Sequence, residues 1–151
     1  MIHDVIQIIA AFFGSLGFAI LFNIRGKQLF WTSFGGLFDW WVYVVAGLWC
    51  TVDASRYFYA ALALGIYSEI MARREKVPTT LYLVVGFIPL IPGSALFMTM
   101  NYAFASEWDR FFEYALVAIN TAVAIAGGIV IAMVLTNIVV VAKKKWRAAH
   151  E

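Results

Sequence analysis

Two prolines three residues apart, Pro89 and Pro92, stand inside an apolar run and are followed at once by Gly93 and Ser94. A proline in a helix interior removes a backbone donor and clashes with the carbonyl one turn back. Two at this spacing predict a helix that breaks rather than bends. Carbonyls about four residues earlier, near Val85 and Ile88, lose their usual partners. Gly93 frees the chain to turn. Ser94 can cap the second half-helix and leave the N–H groups of Ala95 and Leu96 near the membrane midplane. Broken backbone at membrane depth is tolerated only inside protein or along a watery cavity, and transporters build substrate sites from such half-helices. A free helix N-terminus suits an anion. Free carbonyls beside free donors suit a zwitterionic amino acid, and suit a dicarboxylate less well because only the donors would be used. The alternative is a packed kink with Ser94 bonded back to a carbonyl.

Asp39 lies near the centre of another apolar run, in Gly35-Gly36-Leu37-Phe38-Asp39-Trp40-Trp41. A carboxylate there costs several kcal/mol unless it is paired, neutral or facing water, so Asp39 is a candidate for proton coupling or substrate contact. The alternatives are a neutral carboxyl hydrogen-bonded to a neighbouring helix, or a shallower position. Glu69 is a second candidate for proton coupling, but Arg73 follows four residues later in the order that favours a helical ion pair. Asn101 and Asn120, with Thr121 and Asn137, could line a substrate path or hydrogen-bond between helices. Ala118, Ala122 and Ala126 repeat every four residues, and Gly128 and Ala132 do the same, which predicts small-residue helix contacts. The only histidines, His3 and His150, sit at the two ends, and Cys50 is the single cysteine. With no metal cluster, phosphate loop or nucleophile–base set in view, no catalytic residue, metal or cofactor is expected. Cys50 reads as a small apolar filler.

These residues need helices in lipid to position them. Of the 151 residues, 64% are hydrophobic and 13% charged, against about half and about a quarter in soluble domains. A membrane-spanning helix takes roughly 20 apolar residues. The expected architecture is therefore an all-α integral membrane protein, one transmembrane domain over residues 1–151. Its spans fall at about 5–24, 29–52, 54–72, 79–104 and 111–142, the fourth interrupted by its prolines and glycine. Pro78 expels the preceding residue from helix, and Thr79 and Thr80 can cap the fourth span. The fifth run would be roughly 48 Å long as a helix, so it tilts or projects beyond a core of about 30 Å. The first run is flanked by His3 and Asp4 before and by Arg25 and Lys27 after, the reverse of a secretory signal, and reads as a retained span.

Five spans place Arg25, Lys27, Arg73, Arg74, Lys76, Lys143, Lys144, Lys145 and Arg147 on one side, which is nine of the 11 Lys and Arg residues. The positive-inside rule makes that side cytoplasmic and puts the N-terminus outside. The basic run Lys143-Lys144-Lys145-Trp146-Arg147 is an anchor that can also bind anionic lipid. A net charge of +2 gives no reason to expect nucleic acid.

Ser68-Glu69-Ile70-Met71-Ala72-Arg73-Arg74-Glu75-Lys76-Val77-Pro78, followed by Ile88-Pro89-Leu90-Ile91-Pro92-Gly93-Ser94, resembles the signature of the threonine/serine exporter family. The likeness is to its short C-terminal module, which also occurs as a separate small membrane subunit. Gly35-Gly36 and Trp41-Val42-Tyr43 are similar too, and the likeness runs from about residue 14 to about residue 142. The resemblance implies a secondary exporter of small carboxylate-bearing metabolites in a bacterial inner membrane. Its substrates would be threonine- or serine-like amino acids, with succinate as a further possibility. It also implies a larger membrane subunit of the same family as a separate partner. Asp39 departs from the family pattern, in which a small residue is expected, so no family role passes to it.

Two other readings stand beside the exporter subunit: a non-transporting membrane scaffold and a channel made by self-assembly, since single-module membrane proteins often form homo-oligomers. A scaffold has no use for a midplane break or a buried carboxylate. A channel would usually carry a ring-forming filter motif, and none is evident. For the topology, Ser106→Cys should react with a membrane-impermeant thiol reagent added outside and Lys76→Cys should not; the opposite pattern rejects the assignment.

Overall fold

The structure is a computed structural model and describes residues 2–148; His150 lies outside them. Among the described residues there is no strand. Six α-helices follow one another: α1 (Ile2–Leu21), α2 (Lys27–Ala46), α3 (Asp53–Glu75), α4 (Thr79–Gly86), α5 (Gly93–Phe104) and α6 (Trp108–Ala148). A single 3-10 turn, Ile88–Leu90, stands between α4 and α5, and these two helices are bent by 58° across it.

Apolar runs become helices because lipid offers no partner for backbone N–H and C=O groups, which must then pair within the segment. Three of the helices stop in the same way. Asn23, Lys76 and Ser106 take left-handed φ values of 58°, 56° and 59°. The next residue's N–H then reaches back five positions, Ile24 to Ala19, Val77 to Ala72 and Glu107 to Tyr102, each at 3.0 Å. This reversal satisfies a terminal carbonyl and turns the chain. The turn after α2 is built differently: Arg56 Nε donates to the Cys50 carbonyl at 3.0 Å and the guanidinium pairs with Asp53 at 3.2 Å. That turn occupies residues expected from the sequence to extend the second span, so Trp49 and Cys50 lie beyond the helix. Thr79 does not cap α4. Pro78 is the N-cap residue, with no side-chain cap bond, and the Thr79 hydroxyl donates to Glu69 Oε1 at 3.2 Å instead.

Two helices are long and apolar enough to cross a membrane unaided: α1, and α6 over Trp108–Ala142. The bent pair α4–α5 makes a third if it is counted as one span. The helices α2 and α3 miss that measure because of what they carry. Lys27, Asp39 and several small polar residues dilute α2, and α3 has Asp53 and Arg56 near its start and Glu69, Arg73, Arg74 and Glu75 near its end.

The helices pack in the order α1, α2, α3, α6, α5, with α4 against both α2 and α3. Without a hydrophobic drive between helices in lipid, small residues that let backbones approach supply much of the contact. The α3–α6 pairing is the most extensive and shows this directly. A Cβ placed on Gly65 would lie 2.5 Å from the Ala132 Cβ, and one on Gly128 would lie 2.6 Å from the Phe58 carbonyl oxygen. Ala61 and Gly65 on α3 thus face Gly128 and Ala132 on α6, two pairs of small residues four apart. The expected Ala118–Ala122–Ala126 stripe is not the packed face: Ala122 and Ala126 are exposed. The buried positions are Ala118, Thr121, Ile125, Gly128 and Ala132, alternating by three and four as a helix facing a neighbour requires. Enlarging Gly65 to alanine should destabilise the α3–α6 pairing by about 1–3 kcal/mol, the usual cost of overpacking. Adding Ala132→Gly should recover most of that, read by thermal unfolding in detergent; no recovery in the double variant would show that the contact is not the cause.

Candidate functional site

The site is built on α2, whose inward face repeats Thr32, Gly35-Gly36, Asp39 and Tyr43 at helical spacing. Gly35 and Gly36 bring three elements close. A Cβ on Gly35 would sit 3.1 Å from the Tyr67 ring and 3.7 Å from Leu64 of α3. One on Gly36 would run into the Ser15 hydroxyl of α1, lie 2.8 Å from the Ser15 Cβ, and lie 3.4 Å from the Pro89 ring in the 3-10 turn. Leu64 in turn fills the space beside Gly86, where a Cβ would lie 2.6 Å from its Cδ1. So α1, α2, α3, the end of α4 and the turn meet at one level.

Asp39 is one turn from that level, in the direction of the Ala46 end. It is wholly buried, and neither carboxylate oxygen has a hydrogen-bond partner among the described residues. Of the readings left open by the sequence, a hydrogen bond to a neighbouring helix is not seen among the described residues. A lone ionised Asp in hydrocarbon costs about 2.5–3.5 kcal/mol on insertion scales, so this carboxyl calls for a proton, a cation or water. Beside it, the Trp40 indole donates to Gln7 Oε1 at 3.4 Å. Trp40 stacks on Tyr43 at 4.9 Å, and Tyr43 packs on Tyr57 at 4.7 Å.

Glu69 is in the opposite condition. One oxygen pairs with Arg73 Nη2 at 2.6 Å and the other accepts the Thr79 hydroxyl at 3.2 Å. The ion pair predicted from the spacing is present, and it ties the end of α3 to the start of α4.

One turn from the glycine level, toward the Lys27 end of α2, lie Thr32 on α2, Ser68 on α3 and Tyr82 on α4. All three are buried, with hydroxyls lacking a partner among the described residues, as is Ser15. Tyr67 marks the same height, its hydroxyl donating to the Trp31 carbonyl at 2.7 Å. Each such unpaired hydroxyl costs about 1–3 kcal/mol in a dry interior. Apart from Ser68, which opens the stretch resembling the exporter family, these residues do not stand out in the sequence. The available signal is their recurrence with small or polar residues on one helix face, as for Ala11, Ser15 and Ala19 on α1 and Thr32, Gly36 and Asp39 on α2.

The broken segment is divided between inside and outside. Pro89 touches the Gly36 level, and Leu90 is fully buried among Ala60, Ala61, Ile125, Trp40 and Tyr43. Gly93 and Ser94 are exposed, and Pro92 is half-buried. The backbone closes much of its own gap. Leu90 N–H donates to the Phe87 carbonyl at 2.9 Å, Ile91 to Ile88 at 3.2 Å and Leu96 to Pro92 at 3.0 Å. The expectation of a free Ile88 carbonyl and a free Leu96 N–H is thereby corrected: the 3-10 turn supplies an i to i+3 bond to Ile88, and the Leu96 N–H makes the first α-helical bond of α5 to its N-cap, Pro92. Ser94 is not the cap of α5 either. That place is taken by Pro92, with Gly93 as the first helical residue and no side-chain cap bond. Asn101 on α5 and Asn120 on α6 are exposed, as is Asn137, so they do not join Asp39 in the interior. Thr121 is buried on α6.

Comparison with known proteins gives a consistent picture. The profile of the family described as "Threonine/Serine exporter, ThrE" matches residues 7–135. Among curated proteins, the threonine/serine exporter of Corynebacterium glutamicum is similar, with 26% identity over 106 residues, covering 62% of this chain and 22% of that protein. The chain thus spans less than a quarter of the length of that relative. No solved structure matches the chain. The matched profile takes in α2, α3, the broken segment and most of α6, and so the whole of the glycine level with Asp39; on that match the chain belongs to the threonine/serine exporter family.

Proposed function

We propose that this chain is the small membrane subunit of a secondary exporter of threonine- or serine-like amino acids, coupled to protons through Asp39. The observation that carries the reading is a fully buried carboxylate with no protein partner, one turn from the contact of Gly36 with Ser15 and Pro89. Residues packed that closely at Gly36 favour a small occupant at Asp39, and a proton is the smallest. A lone negative charge in the interior also favours a substrate carrying an ammonium over a dicarboxylate such as succinate, which it would repel.

In this reading the chain forms one membrane domain of five spans, with Thr79–Phe104 acting as a single span broken at Pro89, Pro92 and Gly93. The nine-to-two distribution of Lys and Arg supports an outside N-terminus and a cytoplasmic C-terminus in a bacterial inner membrane. The basic run near the C-terminus then meets anionic lipid. Pro89 lies one turn from the proton site, while Gly93 and Ser94 at the exposed start of α5 meet the substrate.

Asn101 and Asn120 are exposed within apolar stretches of α5 and α6. An amide in hydrocarbon is stabilised by a neighbouring helix. We assign that side to further membrane spans supplied by a larger subunit of the same family, where the two amides help to line the substrate path. A homo-oligomer would cover the same face. A non-transporting scaffold would leave the buried Asp39 without a purpose.

The test is Asp39→Asn in membranes containing the full chain and its native partners. Gradient-driven export of labelled threonine and serine should fall by about 100-fold, the lower end of what a positioned proton-transfer group contributes. The thermal midpoint should stay level or rise, because a costly buried carboxyl has been removed. Export that remains driven by the proton gradient in this variant removes Asp39 from the mechanism.

A further inference from the structure

Asp39 alone accounts for where a proton is held; a coupled exporter also needs a way for it to leave. The four unpartnered hydroxyls are placed for this. From Asp39, Gly36 is one turn along α2 and carries Ser15 against it; Thr32 is one turn further, at the height of Ser68 and Tyr82. Asp39 and Thr32 are seven residues apart, about 10 Å along the axis, with Ser15 between them. A step of one turn, about 5.4 Å, is what two hydrogen bonds of about 2.8 Å through one water span. All of these side chains lie in the interior formed by α1, α2, α3 and α4, and none of their side-chain oxygens has a protein partner among the described residues. Buried polar groups in native proteins are met by ordered water when protein does not meet them.

We propose that Ser15, Thr32, Ser68 and Tyr82, bridged by bound water, form a hydroxyl column that carries protons between Asp39 and the Lys27 end of α2. That end is cytoplasmic in the proposed topology, and the inference rests on the proton-coupled reading of Asp39. In each step the Asp39 carboxyl gives its proton to the adjacent oxygen while that oxygen passes one of its own protons onward. Every hydroxyl ends the transfer as it began, and Asp39 is left as a carboxylate ready to be reloaded. Of the other titratable groups on the helices against α2, Glu75 at the end of α3 interacts with Tyr82 at the Lys27 end of the column, and the rest are engaged or distant. Glu69 is held by Arg73 and Thr79, Tyr67 by the Trp31 carbonyl, and Tyr57 packs on Tyr43 toward the opposite end. Asp4 and His3 sit in the first turn of α1, and Asp53 and Arg56 pair in the first turns of α3.

The experiment uses inverted membrane vesicles carrying the full chain and its partners. Two quantities are read: proton movement evoked by added serine, with a trapped pH dye, and exchange of labelled for unlabelled serine at equal pH. Thr32→Val and Ser68→Ala remove hydroxyls; Thr32→Ser and Ser68→Thr keep them. Water can partly replace a lost hydroxyl, so the expected fall in serine-evoked proton movement is about tenfold, less than a positioned acid or base contributes. Exchange should be unchanged, and the hydroxyl-keeping variants should restore proton movement. Wild-type proton movement in Thr32→Val and Ser68→Ala overturns the column while leaving Asp39 coupling intact. Loss of exchange along with proton movement assigns the hydroxyls to packing and also overturns it. Serine exchange with no serine-evoked proton movement in wild-type vesicles overturns the coupled reading itself.

Discussion

The close approach of α2 to its neighbours at Gly35 and Gly36 is the contact on which the rest of this molecule depends. Lipid does not drive helices together as water does, so association rests on backbones that can come near enough for dispersion and hydrogen bonding to act. At Gly36 there is no room for a side chain beside Ser15 and Pro89, and at Gly35 the space is taken by Tyr67 and Leu64. One pair of glycines therefore sets how far α1, α3 and the 3-10 turn stand from α2. The same device recurs where Gly65 meets Ala132 and Gly128 meets the Phe58 backbone. The α1–α2–α3–α6 row is held by small residues at each of these contacts.

That packing also explains why two acidic residues have such different fates. Glu69 sits near the charged end of α3, where Arg73 is one turn away and Thr79 begins the next helix, and both of its oxygens are occupied. Asp39 sits thirteen residues into α2 with apolar and aromatic neighbours, and among the described residues no cation is placed to meet it. The first arrangement ties two helices and uses its carboxylate fully. The second keeps a carboxyl with no protein partner among the described residues, at a cost of a few kcal/mol.

The broken segment serves both ends of the molecule. Its first part carries Pro89 and Leu90 into the interior, against α2 and the α3–α6 contact. Its second part turns by 58° and sends α5 to pack on α6 rather than on α2 or α3. The half-helices therefore belong to different neighbours, with Pro89 at the Gly36 level, one turn from Asp39. The 3-10 turn lets this happen without stranding carbonyls at Phe87 and Ile88.

Composition and periodicity determined that this chain is helical and lies in a membrane, because backbone groups in lipid leave no other low-energy choice for such apolar runs. They also marked Pro89 and Pro92, the Glu69–Arg73 pair and Asp39, since each is set by local chemistry or by the cost of a charge in an apolar run. The family could be read from the stretches around Glu69 and Pro92 for the same reason. Tertiary structure alone decided which faces meet. It chose Ala118, Thr121, Ile125, Gly128 and Ala132 over the Ala118–Ala122–Ala126 stripe, because helix rotation is set by the partner and not by the helix itself. It turned Asn101 and Asn120 outward, gave the N-cap of α5 to Pro92 rather than Ser94, and brought Ser15, Thr32, Ser68 and Tyr82 from four helices into one interior. A serine or threonine in a membrane helix reads alike whether it bonds its own carbonyl, as Ser33 and Thr99 do, or faces a shared core; only the neighbouring helices distinguish the two.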